Sequence, residues 1–173
     1  MLEKYINVRL IFKSIKIKTS KNLSYRPTKS LVRKSIFDSL NLFKFNSVCD
    51  LFSGSGIIGF ESASRGAKFV TFVDNNYRAI KLIQENAITM VGPHYSYFQK
   101  DVFSFLKYSY SYDLIYADPP YGMYDPHKLV EGIFKHLNIK GKLFLECDKK
   151  QNPFLDSIVR DYGQTRILQW ENN

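Results

Sequence analysis

The chain has 173 residues, 45% of them hydrophobic, which suffices for one domain with a substantial core and is ordinary for a globular protein. No apolar stretch approaches the roughly 20 residues that cross a bilayer, and Met1-Leu2-Glu3-Lys4-Tyr5 lacks a signal-peptide pattern, so no membrane partner and a cytoplasmic location are expected. The formal net charge of +9 is confined to one end: residues 1–46 hold eleven Lys and Arg against Glu3 and Asp38, while residues 47–173 hold fourteen charges of each sign.

A biased base composition would enrich lysine throughout the chain, yet it would not gather the uncompensated charge at one end. A basic arm on a neutral domain is the footprint of a nucleic-acid partner. Residues 1–46 are therefore expected to form an RNA-contacting extension, with Lys13, Lys16, Lys18, Lys21, Arg26, Lys29 and Arg33 as candidate phosphate contacts. Within it, Ile6-Asn7-Val8-Arg9-Leu10 and Ile15-Lys16-Ile17-Lys18 alternate with period two and predict a β-hairpin. Arg26-Pro27-Thr28 opens a helix running to Leu40, with Thr28 as a candidate cap and Val32, Ile36 and Leu40 as its apolar stripe. No glycine- or serine-rich linker follows, so this extension is expected to pack on the domain formed by residues 47–173.

In that domain the pattern alternates strand and helix. Residues 47–52 read as a strand, and a helix follows the glycine loop to Ser64, with Gly66 closing it. Residues 68–73 form a second strand. A helix over 77–90 turns Ala79, Leu82, Ile83 and Ala87 inward. A short strand at 95–98, a helical turn at 103–106 and a strand at 112–117 come next, then a helix over 126–137 and a strand at 141–147. Residues 157–170 read as a terminal hairpin turning near Gly163. This is an α/β, Rossmann-like parallel sheet with an antiparallel edge. Cys49 and Cys147 lie in apolar runs as small core residues, with no disulfide framework and no metal-ligand spacing. His94, His127 and His136 are scattered and read as surface or packing residues.

Gly54-Ser55-Gly56-Ile57-Ile58-Gly59 matches G-x-G-x-x-G between a strand and a helix, and Asp74 closes the next strand where a ribose-binding acid is expected. That much fits a nicotinamide dinucleotide as well as S-adenosylmethionine. Asp50, four residues before the first glycine, favours the second: a carboxylate is unhelpful beside a pyrophosphate and suits a ligand carrying an ammonium and a sulfonium. Asp101, after the third strand, can accept from an adenine amine. The candidate cofactor set is Asp50, Phe52, Ser53, Gly54, Ser55, Gly56, Asp74, Asn75, Asp101 and Val102.

The fourth strand ends in Asp118-Pro119-Pro120-Tyr121. Strand ends in an open α/β sheet face the ligand crevice. Prolines have no N–H and a fixed φ, so the turn offers acceptors without competing donors. Asp118 and the Pro119 carbonyl can accept both N–H bonds of a planar exocyclic amine and aim its lone pair outward. Tyr121 can stack on the base, worth about 1–3 kcal/mol. These four residues are the candidate catalytic set, for methyl transfer to a nucleobase amine without a metal. An adenine or cytosine amino-methyltransferase acting on other RNA or on DNA, a nicotinamide-dependent oxidoreductase and a non-catalytic RNA-binding assembly factor are the alternatives.

The segment from Asp50 to Gly56, with Ser64-Arg65-Gly66-Ala67, Arg26-Pro27-Thr28, Asp118 to Tyr121 and Tyr162-Gly163-Gln164-Thr165, closely resembles the RsmD family of bacterial small-subunit ribosomal RNA guanine-N2 methyltransferases. The resemblance spans nearly the whole chain. It implies a class I methyltransferase fold, S-adenosylmethionine as donor, and as target a guanine in a hairpin loop of 16S ribosomal RNA, within an assembling 30S particle. It implies that Asp74 holds the ribose hydroxyls, Asp101 the adenine amine, the Ser53–Gly56 backbone the methionine part, and Asp118 to Tyr121 the base. A monomer is expected. The hairpin, with Phe12-Lys13-Ser14 and lysines, departs from the glycines and arginines usual in that family, and the segment around Gly92-Pro93-His94 is also this chain's own.

Overall fold

Fourteen short elements, strands and helices in near-alternation, build two sheets in the computed structural model, which describes residues 4–8, 15–19, 30–40 and 44–173. β1 (Lys4–Val8) and β2 (Ile15–Thr19) pair antiparallel with Ile6 opposite Ile17, and α1 (Ser30–Ser39) follows. The larger unit comprises β3 (Ser47–Leu51), α2 (Ile57–Ser64), β4 (Phe69–Asp74), α3 (Tyr77–Ala87), β5 (His94–Gln99) and α4 (Val102–Phe105). It continues through β6 (Tyr112–Ala117), α5 (Pro126–Phe134), β7 (Leu137–Asp148), β8 (Ile158–Tyr162) and β9 (Thr165–Glu171). Its seven strands lie in the order β5-β4-β3-β6-β7-β9-β8, the first five parallel and the terminal hairpin antiparallel.

Both faces of this sheet are covered, so successive residues of a strand enter opposite cores. Val48, Val70, Phe72, Leu114, Tyr116 and Phe144 pack with α1, α2, α3 and Ile17 of β2. Cys49, Leu51, Val73, Ile115, Leu143 and Leu145 pack with α4 and α5. Both cysteines are buried and unbridged. The extension shares the first core: Val32, Ile36, Phe37 and Leu40 are buried in it.

α2 is buried along its whole length, between the sheet and the extension. That burial takes in Glu61, which accepts from Arg65 at 2.8 Å and lies 4.0 Å from Arg33 of α1. The Arg65 guanidinium also sits 4.7 Å from the centre of the Phe37 ring. The Ser-Arg-Gly-Ala stretch thus joins α2 to α1. Tyr162 reaches the same helix from the terminal hairpin through a hydrogen bond with Ser35.

Three boundaries differ by three residues or more from the sequence-based expectation. α3 stops at Ala87, three residues before Met90, because its last carbonyls take the turn N–H groups of Thr89 and Met90 and the chain then meets Gly92 and Pro93. On its inner face Leu82 is only half-buried, while Ile80 and the polar Asn86 are buried. Asn86 bonds both the N–H and the carbonyl of Lys18, holding β2 on α3. α5 ends at Phe134, and β7 begins at Leu137. The register explains the earlier start: Leu137 pairs with Tyr112 and Lys142 with Leu114, so residues 138–141 bulge opposite Asp113. Gly141 is required in that bulge, since a Cβ there would lie 2.7 Å from the Asn138 carbonyl oxygen.

Candidate active site

The chain leaves β3 outward through β4 to β5, then returns to place β6 on the other side of β3. The carboxyl ends of β3 and β6 are therefore the switch point of the sheet, where α/β folds open a ligand crevice. Asp50 pairs in register with Tyr116, and Leu51 with Ala117. The glycine loop and Asp118-Pro119-Pro120-Tyr121 consequently leave the sheet from neighbouring strands, about 4.8 Å apart.

Each strand stops for a local reason. After β3, Phe52 adopts φ 59°, a left-handed conformation that costs about 1–3 kcal/mol in a residue with a side chain. Gly54 and Gly56 follow with φ 53° and 74°, which glycine adopts freely. The buried Ser53 stitches the turn to β4: its N–H donates to the Val73 carbonyl at 3.0 Å, and its hydroxyl accepts from the Val73 N–H at 2.8 Å. Ser55 is also buried, and the Gly56 N–H donates to the Ser53 carbonyl at 2.7 Å. β6 ends because Pro119 and Pro120 cannot continue the ladder. Asp118 is half-buried, Pro119 buried, Pro120 exposed, and Tyr121 is 42% exposed.

Three further acids line up along the strand ends. Asp50, only 2% exposed, accepts the Gly59 N–H at 2.9 Å and so caps α2 from the sheet. Asp74 accepts from Gly54 at 2.8 Å and from Asn76 at 2.8 Å. Asn75 is exposed beside it, and Asn76 caps α3 by accepting from Arg78 at 2.9 Å. Asp101 caps α4, one oxygen accepting from Phe103 at 2.9 Å and Ser104 at 3.3 Å. Val102 beside it is buried. Burial pushes the Asp50 carboxyl well above the ordinary carboxylate range and raises Asp74 as well; in each case backbone N–H bonds offset part of the shift. Carboxylates held at such a cost suit a cationic ligand, because a nearby positive charge favours their ionised form. An ammonium, a sulfonium and a ribose diol are groups that this set of acceptors fits.

Of the candidate RNA contacts, Lys13, Lys21, Arg26 and Lys29 lie outside the described residues, as do Thr28 and the side chain of Lys16. Lys18 is exposed on β2. Arg33 is partly buried against Glu61, and burial lowers its pKa below that of a free guanidinium. His136 is a packing residue, buried with both ring nitrogens on the carbonyl oxygens of Tyr110 and Leu106.

Two residues of the site have no counterpart in the motif reading. The Tyr124 hydroxyl donates to the second oxygen of Asp101 at 2.9 Å, and its ring meets Phe52 edge-on at 4.9 Å. Nothing in periodicity marks Tyr124. Glu146 is 3% exposed and accepts from the Tyr116 hydroxyl at 2.5 Å. Since Ala117 pairs with Leu145, Glu146 stands level with Asp118 on the adjoining strand. The lone acid in the apolar run Leu143–Cys147 was a legible signal, because a charge in a buried strand calls for a partner.

A family described as conserved hypothetical protein 95 matches residues 11–169, both the extension and the sheet. The chain belongs to this family, the RsmD family. The match takes in all four candidate catalytic residues and the acids at the strand ends. Among curated relatives, the ribosomal RNA small subunit methyltransferase D of Buchnera aphidicola subsp. Acyrthosiphon pisum is 29% identical over 145 residues, covering 81% of this chain and 75% of that protein. Among solved structures, the Thermus thermophilus protein TTHA0928 superposes with a TM-score of 0.82 at 22% identity, over 95% of this chain and 98% of that one. SMU.776, a methyltransferase structure complexed with S-adenosylhomocysteine, superposes with a TM-score of 0.59 at 19% identity, over 72% of this chain and 44% of that one. The fold is the Rossmann-like fold of S-adenosylmethionine-dependent methyltransferases. No helix among the described residues is long and apolar enough to cross a membrane.

Proposed function

We propose that this RsmD-family protein transfers a methyl group from S-adenosylmethionine to the exocyclic N2 amine of a guanine in small-subunit ribosomal RNA. The observation that carries the reading is the placement of Asp118-Pro119-Pro120-Tyr121 on the strand adjoining the glycine loop, at the switch point of the sheet. When bound, the donor supplies an activated methyl carbon and a sulfonium charge that disappears as the methyl departs. Asp74 holds the ribose hydroxyls, Asp101 the adenine amine, and the Ser53–Gly56 backbone, with Asp50 beneath it, the methionine part. Phe52, Asn75 and Val102 complete that pocket.

The target guanine leaves its stack, which costs a few kcal/mol and least in a loop. Tyr121 offsets this by stacking. Asp118 and the Pro119 carbonyl accept the two N–H bonds, orient the lone pair toward the methyl carbon, and act as fixed acceptors in a partly dry site. The new N–C bond forms as the S–C bond breaks, and the methylated amine, cationic at that point, loses its proton to water. Lysines and arginines of residues 1–46 hold phosphates, working with the catalytic unit of residues 47–173. The protein acts as a cytoplasmic monomer on RNA within an assembling 30S particle.

Mass mapping of modified ribosomal RNA, from cells with and without the protein, tests the reading. A single N2-methylguanine in the small-subunit RNA should disappear with the protein. Loss of a methyladenine or methylcytosine instead would reassign the substrate, and an unchanged map would remove RNA methylation altogether.

A further inference from the structure

We infer that Tyr124 is a positioning residue that couples the donor end of the pocket to the turn holding the target base; the inference rests on the function proposed above. Tyr124 lies six residues beyond Asp118, in the loop that ends where Asp125 caps α5 by accepting from His127 at 2.9 Å and Lys128 at 3.3 Å. From the end of that loop its side chain reaches back across the strand ends. The hydroxyl donates to Oδ2 of Asp101 at 2.9 Å, the ring packs edge-on against Phe52 at 4.9 Å, and the Phe103 ring centre lies 6.0 Å away. Three segments therefore meet on one phenol: the start of the glycine loop, the cap of α4, and the loop that carries Tyr121.

The hydrogen bond is available throughout the neutral range. Burial, followed by the Asp101 bond, holds the Tyr124 phenol up to about 12, so it stays protonated and can donate. On Asp101 the work is divided: Oδ1 serves the N–H groups of Phe103 and Ser104, and Oδ2 serves Tyr124. An adenine amine arriving at Asp101 joins Tyr124 on this carboxylate, and the adenine ring comes up against Phe103 and the Tyr124 ring. Packing there fixes Tyr124, and Tyr124 fixes the loop three residues from Tyr121. Donor binding thereby prepares the target turn. By linkage, target binding must tighten the donor by the same factor.

The test measures affinity for a small-subunit hairpin RNA with and without saturating S-adenosylhomocysteine, in the native protein and in Tyr124→Phe. The phenylalanine keeps the ring on Phe52 and removes only the bond to Asp101, and a melting curve verifies the fold. In the native protein S-adenosylhomocysteine should tighten RNA binding about fivefold or more, the lower range of coupled sites. In Tyr124→Phe that ratio should fall to near one. A residue that merely packs the loop would weaken both RNA affinities alike and leave the ratio unchanged, which would overturn the inference while leaving the proposed function standing. A native ratio of one would overturn it equally. If the native protein bound neither S-adenosylhomocysteine nor RNA, the proposed function would fall and the coupling with it.

Discussion

Asp74 and Gly54 are joined by a 2.8 Å hydrogen bond, so the acid that closes β4 also holds the turn that closes β3. Asp74 thus keeps the glycine loop folded, and on the proposed function it would also receive the ribose. Asp74→Ala should weaken the donor about tenfold or more, as expected when a carboxylate loses hydrogen bonds worth about 1.5–3 kcal/mol. Calorimetry with S-adenosylhomocysteine checks this. An unchanged affinity would remove Asp74 from the ribose site.

Asp118 stands at the end of β6, with its half-buried side chain level with Glu146 across the strand pair. Asp118→Ala should abolish methyl transfer while leaving donor affinity within a small factor of native, since the acids proposed to hold the donor lie on other strands. Single-turnover assays on ribosomal RNA measure the first quantity. Substantial remaining turnover would sink the assignment of Asp118 as the amine acceptor.

Asp50 and Asp74 titrate above the usual 3.8 because burial disfavours their charge. Their stabilising contribution to the donor-free protein is therefore present below the unfolded carboxylate pKa, and it is lost as pH rises through the raised folded values. On the proposed function, a cationic donor held by these two acids would require their ionised forms. Donor affinity should accordingly fall on acidification well before pH 3.8, approaching about tenfold per pH unit for each proton taken up. Asp74→Asn should make the decline shallower. Affinity that stayed flat from neutral pH down to the onset of acid unfolding would show that neither acid faces the positive groups.

Gly59 lies where α2 crosses β4, and a Cβ there would come within 2.2 Å of Cε1 of Phe72. Its N–H is also the donor to Asp50. Gly59→Ala should destabilise the fold by about 1–3 kcal/mol through overpacking, and should disturb donor binding by shifting α2 away from Asp50. Denaturant unfolding provides the measurement; a native-like midpoint would mean that Phe72 repacks freely.

Residue Ile17 is fully buried in the first core, so truncating residues 1–20 would damage the fold as well as the charge. Neutralising Lys13, Lys16, Lys18 and Lys21 to Gln is the cleaner experiment. RNA affinity should drop, and its log–log salt slope should flatten by about 0.7 for each phosphate that is no longer neutralised. A slope equal to that of the native protein would make these lysines bystanders.

Much of the architecture was legible because local rules and tertiary packing agree. Alternation at Ile15–Lys18, the apolar run before Asp118 and the glycine loop each dictate one local conformation, and the structure contains the corresponding elements. The exceptions arise where a polar residue is satisfied by a segment distant in sequence. Asn86 broke the apolar pattern of α3 because its partner is the backbone of Lys18, 68 positions away. β7 began early because Asn138 donates to Asp113 across the bulge, a pairing no residue spacing announces.

At the site the division is similar. Residue types and their distances from glycines and prolines were enough to name Asp50, Asp74, Asp101 and Asp118 as the acids at four strand ends, because turn chemistry is local. Which of those ends are neighbours is a matter of strand order, and only the folded sheet, with β6 inserted beside β3 instead of beside β5, puts Asp118 next to the glycine loop. Tyr124 reaches Asp101 and Glu146 reaches Tyr116 for the same reason: side-chain hydrogen bonds across a sheet depend on register, and register is settled by packing over the whole core.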